Sequence, residues 1–393
     1  MTDWRARKPE TWWHSRLMNL GKPQGLAENR TPPCPRPRST GALAHAVALP
    51  RMSTTEIRRD IVDAAVERLA NLTGESQVVY NWDVHRSDRR RSTIYRLLDR
   101  KTRTSLFYKI FKLRGRGQET SEDSLRNRLI RAQPLTDHLI ARISDTPISA
   151  ARVLAAEPDE RTLVTLGVAG RELGKRFYRP AVLGKHRSLE QARLMGEACA
   201  LIEQTGARAS VTFNMESLAS TVTHRLEKSQ IPAPQADRLS ELVFELATHR
   251  ISEGATTFVH GDLSPSNILV TKGGIALIDF GWVSHFRGFD VGVLSYRFGA
   301  EDKLFKGWGT EFTSALMSGY RAVSGSSYDL ASLHLVNLLL LIRGLTSPSR
   351  RVRDESRRKL LRSMTERSDH PRVSPSHNDE FRWWWDSDSY RSP

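Results

Sequence analysis

From Ser53 onward, the apolar positions of the chain recur with regular periods. Between Thr54 and Leu69 they recur at helical spacing after a Ser/Thr start signal, which predicts a first helix. Three runs of strand-forming residues follow, with polar turns between them. These runs are 77–83, 92–98 and 105–111. One helix followed by three short consecutive strands predicts a small antiparallel sheet at the start of the folded region.

The remainder of the chain is predicted to be mainly helical. Glu122 opens an amphipathic helix; Pro134 interrupts its pattern, and we expect another helix from Asp137. Two strands, 150–156 and 161–167, then lead out of the first region. Amphipathic patterns predict further helices at 189–205, 235–249, 310–322 and 328–345.

The segment 260–267 contains residue types suited to phosphate and metal chemistry. Apolar runs on both sides of the adjacent glycines 273–274 predict a tight hairpin. This hairpin brings Asp262, Asn267 and Asp279 to the same end of two paired strands. Asp262 can accept the proton of an attacking hydroxyl, and Asn267 and Asp279 offer oxygen ligands of the kind Mg²⁺ prefers. The spacing therefore predicts phosphoryl transfer.

These motifs also carry a family resemblance. The segment 259–293 resembles the catalytic core of the protein-kinase-like superfamily, specifically its aminoglycoside phosphotransferase branch. Gly261 gives the H-G-D of that branch in place of H-R-D, Asp279 opens a D-F-G, and Asp290 matches a second aspartate. The resemblance implies ATP and Mg²⁺ as cofactors, Asp262 as catalytic base, and Asn267 and Asp279 as metal ligands.

The resemblance also implies the fold class, which is α+β. We expect a bilobal protein-kinase-like fold, with a small antiparallel-sheet N-terminal lobe and a larger, mainly helical C-terminal lobe. The expected divisions are a disordered basic extension at 1–51, a nucleotide-binding lobe at 52–167, a catalytic and substrate lobe at 168–346, and a tail at 347–393.

Lys109 in the third strand is the candidate to grip the nucleotide phosphates. Lys112 is its competitor, but strand alternation places it on the opposite face. The acid that pairs with the lysine in such folds is left open between Glu122 and Asp137. The sequence differs from protein kinases between the first two strands, because an arginine-rich turn at 85–92 stands where protein kinases have a glycine-rich loop.

The sequence after the D-F-G favours a small-molecule acceptor. The interval from Asp279 to Asp290 is short and holds no A-P-E, so it leaves little room for an activation segment. We therefore expect transfer to a hydroxyl of a sugar, an amino alcohol or an aminoglycoside-like molecule. The alternatives are an atypical short-loop protein kinase and a nucleotide-binding scaffold without turnover.

Composition adds limits on location and partners. Two cysteines, Cys34 and Cys199, exclude a disulfide framework and favour a cytoplasmic location. No apolar run reaches the length of a transmembrane segment. The formal charge of +16 at pH 7 makes contact of the basic tails with nucleic acid or an anionic surface one interpretation, and a solvated helix end at 350–362 is the other.

Overall fold

The computed structural model describes a large part of one compact unit, Ala46–Pro393. The described residues are 57–74, 80–89, 92–112, 122–173, 185–207, 213, 215–252, 256–299, 308–325 and 330–368. The predicted extension at 1–51 and the end of the tail, 369–393, lie outside the described residues.

The element bounds follow in chain order. The helices are α1 Arg59–Thr73, α2 Glu122–Ile143, α3 Lys185–Gly206, α4 Met215–Glu227, α5 Ala233–Ser252, α6 Phe289–Gly299, α7 Trp308–Ser324, α8 Leu330–Leu345 and α9 Arg350–Ser368. The strands are β1 Trp82–Asp88, β2 Ser92–Asp99, β3 Ser105–Phe111, β4 Ile148–Ala150, β5 Val153–Glu157, β6 Thr162–Leu166, β7 Arg171–Glu172, β8 Thr256–Val259, β9 Ile268–Val270, β10 Ile275–Leu277 and β11 Val283–Phe286.

The N-terminal lobe is a five-stranded antiparallel sheet in the order β1-β2-β3-β6-β5. Helix α1 buries one face, including Val62 and Ala65, in a core that it shares with this sheet. Strand β3 lies at the centre, where Lys109 is paired with Ile94 on one side and Leu163 on the other. The predicted bounds of β3 are met, and its central position holds Lys109 firmly in register.

The predicted first strand was displaced along the chain. It was expected at 77–83, but β1 begins at Trp82 and continues to Asp88. Because β1 is an edge strand whose side chains are exposed from His85 to Asp88, no apolar alternation marks its second half. The strand therefore occupies much of the segment expected to be an arginine-rich turn.

The predicted break in α2 is also wrong, because one helix continues through Pro134. A proline inside a helix removes a hydrogen bond and costs about 3 kcal/mol. Here Pro134 is exposed, while Leu129, Leu135 and Leu139 form one buried face on both sides of it. Packing of that face keeps the helix continuous.

The predicted strand 150–156 is divided between two sheets. Strand β4 pairs in parallel with β10, whereas β5 pairs with β6 in the N-terminal lobe. The chain changes sheets at Ala151 and Arg152, whose backbone groups bond to Leu277 and Leu166 respectively. The apolar pattern of 150–156 does not reveal that the chain passes from one sheet to the other, because apolar residues stand on both sides of the boundary between the two strands.

The C-terminal lobe carries the predicted hairpin. Strands β9 and β10 pair antiparallel, and Thr271 N donates to Gly274 O at 3.0 Å. A Cβ on Gly274 would lie 1.8 Å from the Pro147 carbonyl oxygen, so this position needs glycine. Most of the lobe beyond the hairpin is helical, and the α+β, bilobal protein-kinase-like fold class is confirmed. No described helix has the length and apolar character needed to cross a membrane.

Candidate active site

The loop that carries the candidate base is anchored by Asp290 at the start of α6. Its carboxylate accepts hydrogen bonds from His260 N at 2.7 Å and Gly261 N at 3.1 Å. Asp290 is fully buried, and burial raises its pKa to about 7 even though these two bonds act in the opposite direction. The second aspartate of the motif therefore fixes the loop backbone rather than facing solvent.

His260 is a buried structural residue of the same loop. Burial lowers its pKa to about 4, so the ring is neutral near pH 7. Its Nε2 lies 3.0 Å from the Ile278 carbonyl oxygen and its Nδ1 lies 3.4 Å from Asp262 N. The neutral ring satisfies both contacts when Nε2 carries the proton. It thereby connects the loop to the segment before Asp279.

Asp262 and Asn267 lie at opposite ends of the loop and are joined by a hydrogen bond. Asn267 Nδ2 donates to the Asp262 carbonyl oxygen at 2.8 Å. The Asp262 side chain is exposed, whereas Asn267 is partly buried. The backbone of Asn267 also accepts a hydrogen bond from Ile278 N at 3.0 Å. Since Nδ2 is used in this bond, Oδ1 is the Asn267 side-chain atom that could ligate a cation.

Lys109 and Asp279 form an ion pair between the two lobes. Lys109 Nζ donates to Asp279 Oδ1 at 2.5 Å, and the same ammonium lies 4.9 Å from the centre of the Phe111 ring. Burial acts to raise the pKa of Asp279, but Lys109, Arg128 and His260 outweigh it and hold that pKa below its usual value. The Asp279 carboxylate is therefore ionised near pH 7 and could ligate a cation.

Asp279 adopts a strained backbone conformation. Its φ is 62°, in the left-handed region that costs L-residues free energy and that aspartate tolerates better than most. Residues in such conformations cluster at functional sites. In this conformation the Asp279 carboxylate contacts Lys109.

Neither acid considered as the partner of Lys109 has that role. Asp137 instead forms ion pairs with Arg68 and Arg152, and Glu122 is exposed in the first turn of α2. Among the described residues, the acid paired with Lys109 is Asp279. The competing Lys112 is exposed and lies 3.2 Å from Asp88 Oδ1, away from Asp279.

Helix α2 presents arginines to the D-F-G segment where an acid was expected. Arg128 Nη2 donates to the Phe280 carbonyl at 3.3 Å, and Arg131 Nε donates to the Trp282 carbonyl at 3.2 Å. Neither arginine was predicted from the sequence to lie at this site. Their spacing of three on one helix face was the available signal, since such residues are neighbours.

The tryptophan after the D-F-G secures the same segment. Trp282 is fully buried, stacks on Phe280 with ring centres 5.2 Å apart, and donates from Nε1 to Thr136 Oγ1 at 3.0 Å. Since Thr136 belongs to α2, this contact adds to the arginine bonds. The backbone beside Asp279 is thus held by one helix of the N-terminal lobe.

Glu203 is a further residue of the site that was not predicted from the sequence. It is buried in α3, and its carboxylate accepts from Gly288 N at 2.7 Å and from Tyr320 Oη at 2.6 Å. Burial raises its pKa to about 8. The signal in the sequence was a charged residue within an apolar helix face. Glu203 fixes the turn from which α6 and Asp290 begin.

The interval between the D-F-G and Asp290 is filled by regular structure. Strand β11 pairs antiparallel with β8, and a turn at 287–288 leads directly into α6. Each residue of this interval is described. A regulatory activation segment therefore has no place between Asp279 and Asp290.

This geometry agrees with the comparison to known families. The phosphotransferase enzyme family matches residues 95–331, which is more than half of the chain. The chain belongs to this family. The resemblance based on the H-G-D and D-F-G motifs is confirmed, and so is the enzyme class, a phosphotransferase (kinase) with an alcohol group as acceptor, at the level of the family.

One relative of this phosphotransferase matches a shorter part of the chain. The chain is 31% identical over 182 residues to a "probable bifunctional tRNA threonylcarbamoyladenosine biosynthesis protein" of Methanoculleus marisnigri, covering 44% of this chain and 32% of the relative. It thus spans about a third of that relative's length.

Solved structures show weaker similarity. A choline/ethanolamine kinase family protein from Mesorhizobium loti is 19% identical, with a TM-score of 0.44 over 77% of this chain and 95% of its own. ADP-bound aminoglycoside phosphotransferase APH(2'')-Ib is 15% identical, with a TM-score of 0.43 over 76% of this chain and 97% of its own.

Proposed function

We propose that the protein moves the γ-phosphate of ATP to a hydroxyl of a small molecule, with Asp262 as catalytic base. The observation that carries the proposal is the Lys109–Asp279 ion pair opposite a loop whose backbone is fixed by Asp290. Phosphoryl transfer depends mainly on positioning and charge neutralisation. Both requirements are supported by this arrangement.

Each residue has a defined task in this proposal. The exposed Asp262 carboxylate orients the acceptor hydroxyl and takes its proton as the phosphate is transferred. Lys109 holds the phosphates of the bound nucleotide, and its place in β3 already brings its ammonium to Asp279. The bonds of Asp290 to the loop keep Asp262 in position without conformational searching.

The donor atoms of Asn267 and Asp279 suit Mg²⁺. One offers an amide oxygen and the other an ionised carboxylate, which are hard ligands of the type this ion prefers. When bound, the ion would neutralise phosphate charge and orient the nucleotide.

The absence of an activation segment supports a small acceptor. Strand β11 and helix α6 occupy the interval where a protein kinase carries a peptide platform. A sugar, an amino alcohol or an aminoglycoside-like molecule is therefore the proposed acceptor class, in preference to a protein.

The test is ATP consumption with a panel of sugars, amino alcohols and aminoglycosides, in the wild type and in Asp262→Ala. We expect turnover with at least one alcohol, and its loss in the variant while ATP affinity persists. Near-normal turnover in Asp262→Ala would refute the base assignment. Turnover confined to a protein extract would favour the protein-kinase alternative.

The relative from Methanoculleus marisnigri motivates one additional arm. Its name refers to tRNA modification, and the shared segment is 31% identical to this chain. Adding tRNA to the panel tests whether ATP consumption responds to that molecule. Stimulation by tRNA without any alcohol substrate would replace the small-molecule proposal.

A further inference from the structure

A second concentration of charge lies in the C-terminal lobe, between the α4–α5 connection and the start of α9. The pocket there has a volume of about 280 Å³. Its lining residues are Lys228, Ser229, Gln230, Leu345, Arg350, Arg353, Asp354 and Arg357. None of them belongs to the loop 260–267 or to the Lys109–Asp279 pair.

The lining is strongly cationic. It holds one lysine and three arginines, while Asp354 is the carboxylate among the lining residues. Asp354 Oδ2 lies 3.6 Å from Arg350 Nε, so its charge is directed mainly to that arginine. A net positive charge remains on the rest of the pocket wall, and it is complementary to an anion.

Two of the arginines are held in place by neutral groups. Arg353 Nη1 donates to the carbonyl oxygens of Ser347 at 2.7 Å and Pro348 at 3.0 Å. Arg357 Nη1 donates to Gln230 Oε1 at 3.2 Å. These bonds fix each guanidinium without neutralising it, which lowers the entropy cost of binding a ligand.

The position of these cations on α9 opposes local stability. Arg350 and Arg353 lie in the first turn, and that turn contains no acidic residue. The positive end of the helix dipole disfavours cations there. A local arrangement that costs stability is expected where function demands it. Arg350 and Arg353 meet that description.

We propose that this pocket binds the phosphate group of a small phosphorylated molecule. Guanidinium groups match the geometry of phosphate oxygens and form charge-assisted bonds with them. The pocket is a small surface concavity bounded by the α4–α5 connection, the end of α8 and the start of α9. That shape suits a terminal phosphate better than an extended polymer backbone.

The test is calorimetric titration with inorganic phosphate at constant ionic strength. The pocket variants are Lys228→Gln and Arg357→Gln, and the matched control is Arg358→Gln, an exposed residue of α9 outside the lining. We expect the pocket variants to bind phosphate about tenfold more weakly or worse, and the control to match the wild type. Lys109 and Asp279 are intact throughout, so phosphate bound at the nucleotide site cancels in the comparison.

Two outcomes would overturn the proposal. The first is equal affinity in the wild type and both pocket variants. The second is that the wild type binds a short RNA duplex but no inorganic phosphate, and that the two pocket variants and the control all bind the duplex equally more weakly. This result would indicate a nucleic-acid surface along α9. Circular dichroism checks folding, and Arg353→Gln, which removes another cation of the lining, replaces either pocket variant if it unfolds.

Discussion

At the scale of single residues, Gly261 explains how the loop 260–267 reaches its conformation. Its φ is +79°, and a Cβ there would lie 2.2 Å from Val283 Cγ2. Glycine adopts such angles without a steric penalty. The same residue that marks the family motif is therefore also required by packing against β11.

Gly261→Ala should destabilise the fold and slow catalysis. We expect a loss of at least about 1–2 kcal/mol in the free energy of unfolding from the left-handed backbone alone, and a lower kcat because Asp262 shifts. Urea denaturation and steady-state kinetics measure these two effects. Gly273→Ala is the matched control, since a Cβ on Gly273 meets no atom within 4 Å. Equal stability of the two variants would contradict the explanation.

At the scale of elements, helix α2 was expected to supply an acid that pairs with Lys109. It instead donates hydrogen bonds from two arginines to backbone carbonyls near Asp279. Arg128 and Arg131 hold the carbonyls of Phe280 and Trp282, and Arg128 also lowers the pKa of Asp279. The helix therefore acts on the candidate metal ligand through charge as well as through packing.

Arg128→Met should shift the acid limb of the kcat/KM pH profile to higher pH. Removing the positive charge raises the pKa of Asp279, so under the proposed metal-ligand role its carboxylate is protonated and inactive at a pH where the wild type is still ionised. Arg126→Met is the control, because Arg126 is exposed and pairs with Asp159 at 3.1 Å. A shift of the same size in both variants would assign the effect to net charge instead.

The elements also show what the sequence can and cannot predict. The bounds of β3, the glycine hairpin and the loop 260–267 were predictable because turn chemistry and motif spacing are local. The continuity of α2 through Pro134 was not, since it depends on packing of Leu135 and Leu139 against distant partners. The pairing of Lys109 with Asp279 was not predictable either, because the two residues lie 170 positions apart in the sequence.

At the scale of the whole molecule, a buried polar network connects several helices to the candidate active site. Tyr320 of α7 and Glu203 of α3 fix Gly288, and Asp290 two residues later fixes the loop. The pKa of Glu203 is raised to about 8 and that of Asp290 to about 7. Folding therefore retains protons that the unfolded chain releases.

Stability should consequently fall as pH rises from about 6.5 to 8. Across this range folded Glu203 still binds a proton, whereas unfolded glutamate has lost it near its usual pKa of 4.5. His260, with a pKa lowered to about 4 from 6.5, acts in the opposite direction but only below that range.

Glu203→Gln should reduce this slope by up to about 1.4 kcal/mol per pH unit. Urea denaturation midpoints at several pH values measure it, with Glu157→Gln at an exposed position of β5 as control. A slope that is unchanged in Glu203→Gln would show that Glu203 is not the titrating group.

The Lys109–Asp279 pair has a thermodynamic consequence for the affinities of the ligands that it would bind. Each residue is the counter-charge of the other, so a ligand that engages one of them leaves the other unpaired and more strongly attractive to its own ligand. Linkage makes this effect reciprocal. Under the proposed roles, the cation and the nucleotide should each strengthen binding of the other. Each should therefore bind more weakly in the absence of the other.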